Sequence, residues 1–140
     1  MCATAEVRTA PKHRVDVDAL RAFASEHDIL VGDAHETHDG ALHTDLQPII
    51  DGRECCWCPL HSVPACPADP EQVAHYRAGL AAVLRWLAER ADDVRFEPDC
   101  FDYLQSGAET VAPEDVPLPT TGDGRVLRIA VDNSHREGTP

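Results

Sequence analysis

Four cysteines and a histidine fall within the span Cys55 to Cys66, and this is where the chain offers metal or redox chemistry. Cys55 and Cys58 make a C-x-x-C pair. His61 follows after two residues and Cys66 after four more, with Pro67 next, so the order is C-x2-C-x2-H-x4-C-P. Thiolate and imidazole are ordinary zinc ligands, and thiolates hold iron–sulfur clusters. Cys56 and Cys100 are further thiols available to complete a four-ligand set.

Three chemistries fit this run. Its outline is similar to the ferredoxin cluster run C-x2-C-x2-C-x3-C-P over about thirteen residues, with His61 at the third cysteine's place and a last gap one residue longer. An iron–sulfur centre would take Cys55, Cys58, Cys66 and Cys100 first, with Cys56 and His61 as competitors. Zinc is the alternative, because three Cys and one His form a common tetrahedral set. The order Cys-Cys-His-Cys resembles the zinc knuckle, although the second gap is two residues rather than four. The third chemistry needs no metal and makes Cys55 and Cys58 a redox dithiol. Pro59 and Pro64 oppose the helix start that usually lowers such a thiol's pKa, and no thioredoxin-like βαβ pattern surrounds the pair. Simple burial as small apolar side chains explains one cysteine more readily than four so close together.

Histidines give a second cluster. His35, His38 and His43 lie in one polar segment, 33–43, which reads as a loop bounded by Gly32 and broken by Gly40. His-Glu-Thr-His is one residue short of the H-E-x-x-H protease motif. His43 and Asp45 form an H-x-D pair that, with a distant His75 or His135, would make a 2-His-1-carboxylate iron site. His43 is also the loop histidine nearest the cysteines, and so a candidate ligand or proton carrier for them. The plain alternative is a solvated loop.

The elements that must position these groups are partly legible. Val17, Leu20, Phe23 and Ala24 share a helical face behind a capping Asp16. Asp69-Pro70-Glu71-Gln72 is a helix start, and Val73, Tyr76, Leu80, Val83, Leu84, Leu87 and Ala91 then line one face to about residue 92. Gly79 weakens that helix by about 1 kcal/mol if exposed. Ile29–Val31, 44–50, 94–97 and 126–131 read as strands, the second as an edge strand because Pro48 lacks an amide donor. Asp51-Gly52 reads as a turn into the cysteines. Residues 105–124 read as a loop or linker.

Composition bounds the rest. The chain has 140 residues, a formal net charge of −13 and 43% apolar residues. That suits one folded domain and disfavours nucleic acid or an anionic membrane surface as partner. The start of the chain shows no signal-peptide pattern and no stretch reaches the ~20 apolar residues of a membrane span, so a cytoplasmic location is expected, where cysteines serve metals or redox chemistry. The expectation is a small α+β domain over 15–131, with a flexible arm at 1–14 and a polar tail at 132–140. It has one long helix in its C-terminal half, few short strands and a Cys/His metal-binding loop. The expected function is an acidic metal-binding redox protein, carrying an iron–sulfur cluster or active thiols and serving a partner with a basic surface. The alternatives are a zinc-stabilised accessory module and a mononuclear metal enzyme using the histidines. No catalytic residue is singled out.

Overall fold

Short runs of alternating apolar residues and two capped helices build a mixed α/β domain. The computed structural model describes residues 5–38, 40–57, 60, 68–98, 109–119 and 126–130. In chain order the elements are β1 (Ala5–Ala10), a 3-10 turn (Lys12–Arg14), α1 (Val17–Glu26), β2 (Ile29–Glu36), β3 (Leu42–Ile50), β4 (Arg53–Glu54), α2 (Pro70–Ala88), β5 (Asp93–Pro98), β6 (Glu109–Val111), a 3-10 turn (Pro113–Asp115) and β7 (Leu127–Ile129). Among the described residues the strands form one seven-stranded sheet in the order β2-β3-β1-β5-β7-β6, with β4 paired to β3. That is far more sheet than the few short strands expected. The arrangement is antiparallel except between β6 and β7.

The largest correction concerns the N-terminal segment. Residues 5–10, expected to be part of a flexible arm, form β1 in the sheet interior, paired to β3 on one side and β5 on the other. Ala5, Val7 and Thr9 are buried, and Glu6, Arg8 and Ala10 face the other way, half-buried. The alternation spans only six residues, and both partner strands lie far along the chain.

The histidine segment is not a loop. β2 runs on past Gly32 to Glu36, with a register shift between Val31 and Ala34. A Cβ at Gly32 would lie 3.1 Å from the Cβ of Asp45, so this crossing of β2 and β3 is tight. The hairpin closes where Thr37 N–H donates to Ala41 O at 2.8 Å and Ala41 N–H to Thr37 Oγ1 at 3.1 Å. β3 is an interior strand despite Pro48. Ile49 N–H donates to Asp28 O, so the Pro48 nitrogen faces away from β2. It also lies beyond Asp45, where the pairing with β1 stops. Asp51 and Gly52, both at positive φ (53° and 77°), turn the chain into β4.

Both helices pack into one core with the inward residues of the sheet. Leu20 and Ala24 of α1 and Leu80, Val83, Leu84 and Leu87 of α2 meet Val7, Leu42, Leu46, Val94 and Phe96 there. The caps form as their residues dictate: Asp16 accepts from the N–H groups of Asp18 and Ala19, and Asp69 from that of Glu71. α2 stops at Ala88, short of the expected 92. Arg90 and Ala91 both donate to Leu87 O, and Asp92 N–H has already crossed to Ala10 O on β1. Residues 109–119, expected within a loop or linker, contribute β6, a 3-10 turn and buried Val116 and Leu118, and Glu114 pairs with Arg85 of α2. No helix among the described residues is long and apolar enough to cross a membrane.

Gly79 is buried rather than an exposed weak point. A Cβ there would stand 2.8 Å from His27 O, at the end of α1, and 3.3 Å from His27 Cβ. Gly79→Ala gains about 1 kcal/mol of helix propensity but collides with backbone that cannot swing aside. Urea unfolding of this variant is expected to show a net loss of about 1–2 kcal/mol. Equal or greater stability would mean that α2 does not touch α1 here.

Candidate functional site

On the face of the sheet turned away from the core, β3, β1 and β5 place their outward residues in two rows. Glu6 stands directly opposite Asp45 on β3 and Glu97 on β5. One step along the strands, Arg8 stands opposite His43 and Arg95, and Arg95 opposite Arg128 on β7. Directly paired residues share a face, so a row of carboxylates borders a row of basic groups.

His43 reaches diagonally into the carboxylate row. Its Nε2 lies 3.1 Å from Glu6 Oε2 and 3.8 Å from Glu97 Oε2. These three side chains are only 16–19% exposed. Glu6, His43 and Glu97 each offer one ligand atom, and these atoms lie within 4.8 Å of one another. The 3.1 Å contact is an ion-pair distance without hydrogen-bond alignment, because Glu6 Oε2 is shut off from solvent and has no hydrogen-bond partner among the described residues.

His35 explains the orientation of the imidazole. It is the direct cross-strand neighbour of His43, and its Nε2 lies 3.2 Å from His43 Nδ1, with the rings edge to face. When His43 Nδ1 donates this hydrogen bond, Nε2 is a bare lone pair aimed at two carboxylates. A metal-ligating histidine is held by this kind of outer contact. Burial pushes the Glu6 carboxyl above the usual carboxylate range. The charge of His43 pulls it down, while a hydrogen bond to Asp45 and the charges of Asp45 and Glu97 push it up.

The residues singled out in the sequence are distributed differently. Cys58, His61, Cys66 and Cys100 lie outside the described residues, as does His135. Cys55 and Cys56 are half-buried. Trp57 beside them is fully buried in the core, and its indole N–H donates to Leu46 O at 2.9 Å. Cys55 N–H donates to Pro48 O. Cys55 also adds, after burial and the charges of Asp28 and Asp51, to the upward push on the Tyr76 hydroxyl of α2. This part of the cysteine run is therefore anchored on the helix side of the sheet. His43, offered as an added ligand for the run, stands with Glu6 and Glu97 on the outer face, because odd-numbered β3 residues point away from the core. The H-x-D pair does share a face, but His75 is not its third member: it bonds Asp28 at 2.7 Å on α2. His38 is exposed.

Glu6 and Glu97 were missed by sequence reasoning. The only local signal is their place in alternating segments, and nothing local pairs those segments. A groove of about 710 Å³ along α2, lined by Ala74, Ala78, Arg77 and Arg85 among others, brings together no such ligand set. No family model, curated protein or solved structure matches the chain.

The raised Glu6 pKa carries a stability consequence. A carboxyl whose folded pKa lies above its unfolded value stabilises the fold at pH below the unfolded value, and that contribution is lost as pH rises through the folded value. Glu6→Gln removes the charge that must otherwise be buried at neutral pH. In the presence of a chelator, its thermal midpoint is expected to exceed that of the parent chain near neutral pH. The gap should close as pH falls below the range where free carboxylates titrate. A midpoint lowered at every pH would show that ionised Glu6 is a net structural asset.

Proposed function

We propose that this chain is a mononuclear metal-dependent protein in which Glu6, His43 and Glu97 hold a divalent first-row cation on the outer face of the sheet. The observation that supports this most is the convergence of one imidazole nitrogen and two carboxylate oxygens within 4.8 Å, with Glu6 Oε2 buried and lacking a donor. Mixed nitrogen and carboxylate donors suit manganese, iron(II) or zinc better than calcium or a thiolate-bound cluster. Three protein ligands leave coordination positions open, which is the requirement of a catalytic rather than a purely structural site. His35 and Asp45 are the outer partners, one fixing the imidazole and the other a carboxyl. This is a form of the mononuclear alternative raised by the histidines that keeps His43, with Glu6 and Glu97 as ligands in place of Asp45 and a distant histidine.

The cysteine run supports a second reading. Cys55 and Cys56 lead directly into buried Trp57, and with Cys58, His61, Cys66 and Cys100 they would supply the thiolate and imidazole ligands of an iron–sulfur or zinc site. On that reading the chain is a cytoplasmic redox or accessory protein that docks its acidic surface on a basic partner.

Metal titration of the full chain separates the two. Manganese(II) and zinc are expected to bind at one equivalent and raise the thermal midpoint. Glu6→Gln, His43→Ala and Glu97→Gln should each weaken binding by at least about 100-fold, and His35→Ala by about 10–100-fold. Cys55→Ser and Cys58→Ser should leave it unchanged. A brown protein purified without oxygen, whose colour depends on the cysteines while the Glu6 and His43 variants bind metal normally, would establish the second reading instead.

A further inference from the structure

We propose that His35 and His43 form a second cation site, for a late first-row divalent ion such as nickel(II) or copper(II). This site and the Glu6–His43–Glu97 site exclude one another, because they share one imidazole. The exclusion rests on the metal-site reading above, whereas the histidine pair stands without it.

The pair is built by the register. His35 and His43 are direct cross-strand partners on β2 and β3, so the backbone places both rings on one face. His35 Nε2 lies 3.2 Å from His43 Nδ1, and the rings meet edge to face, 88° apart, with centroids at 5.0 Å. Imidazole nitrogens bind zinc-sized ions at about 2.0–2.1 Å, so two of them on one ion stand about 2.9–3.4 Å apart, from a right angle to a tetrahedral one. The observed separation falls in that range. His35 is exposed, so an ion reaches the pair from solvent and water fills its remaining positions. A chain with a net charge of −13 draws cations to its surface.

The tautomer of His43 decides which site is open. With its proton on Nδ1, His43 bonds His35 Nε2 and leaves its own Nε2 bare for a cation at Glu6 and Glu97. With its proton on Nε2, the N–H faces those carboxylates, at 3.1 and 3.8 Å. Nδ1 is then bare beside the bare Nε2 of His35, and the two lone pairs take one ion. Neither ring gains or loses a proton in the exchange. A neutral imidazole has one ring lone pair to give, so His43 serves one cation at a time.

Donor type separates the ions. Glu6 and Glu97 bring oxygen, which suits manganese(II), whereas the pair brings nitrogen alone. Imidazole suits nickel and copper, and affinity rises along the first row from manganese to copper. A chain that holds manganese through His43 would therefore lose it when nickel or copper captures the same ring from the other side.

The test uses the full chain and nickel(II), which does not oxidise the cysteines, with binding followed by calorimetry. Glu6→Gln/Glu97→Gln, which lacks the carboxylate ligands, is expected to bind one equivalent of nickel that is lost when His35→Ala is added. If that triple variant fails to fold, His35→Gln on the same background should lose the equivalent too. Nickel binding that does not change with His35 overturns the pair. The parent chain is expected to take no more nickel than Glu6→Gln/Glu97→Gln, and added manganese(II) should weaken nickel binding in the parent but not in that variant. One further equivalent in the parent, or nickel and manganese bound together, overturns the exclusion. If manganese does not bind the parent at all, the metal-site reading has failed, and the loss or retention of nickel with His35 still decides the pair.

Discussion

The register of β1 is the constraint on which the rest depends. An interior strand has neighbours on both sides, so its alternation is read twice. With Ala5, Val7 and Thr9 inward, Val7 meets Thr44 and Phe96 while Glu6 meets Asp45 and Glu97. A slip of one residue would turn Glu6 and Arg8 into the core and Val7 out of it. Burying an unpaired charge costs several kcal/mol, far more than any local preference in six residues. The core thus fixes the register, and the register fixes which acids and bases face each other on the outer face. The candidate site is a by-product of packing on the opposite side of the same strands.

What was legible in the sequence was local. Asp16 and Asp69 cap helices because the capping bond is made within three residues, and Asp51-Gly52 turns because its conformation is its own. The apolar faces of both helices and the strand at 94–97 follow from spacing alone. What was not legible was pairing. β1 is closed by Pro11, but its partners start over 30 and over 80 residues later. The histidine segment reads as a loop because it is polar, yet an outer sheet face is where polar residues belong. Pro48 suggested an edge, but a proline is tolerated in an interior strand where its nitrogen has no strand to face. Glu6 and Glu97 had no signature at all among 25 acids, since only the fold brings them within reach of His43.

Trp57, beside the first cysteines, and His43 lie on opposite sides of β3. Trp57 is drawn into the core and bonded to Leu46 O, so the first cysteines are fixed beside the helices. His43 is three positions before Leu46 on the same strand and points the other way. A strand's two faces separate groups that sequence proximity seems to unite, whereas the sheet unites groups that sequence separates. Proximity in sequence is therefore a poor guide to ligand sets on a sheet, although it serves well within one turn of a helix or one tight loop.

The carboxylate row is hard to account for as architecture. Burial and the neighbouring acids both oppose ionisation of Glu6, and only the charge of a protonated His43 would work against them. A leucine or threonine at Glu6 would preserve β pairing without that cost. Strain of this kind persists where a ligand relieves it, and a cation held by Glu6, His43 and Glu97 would do so.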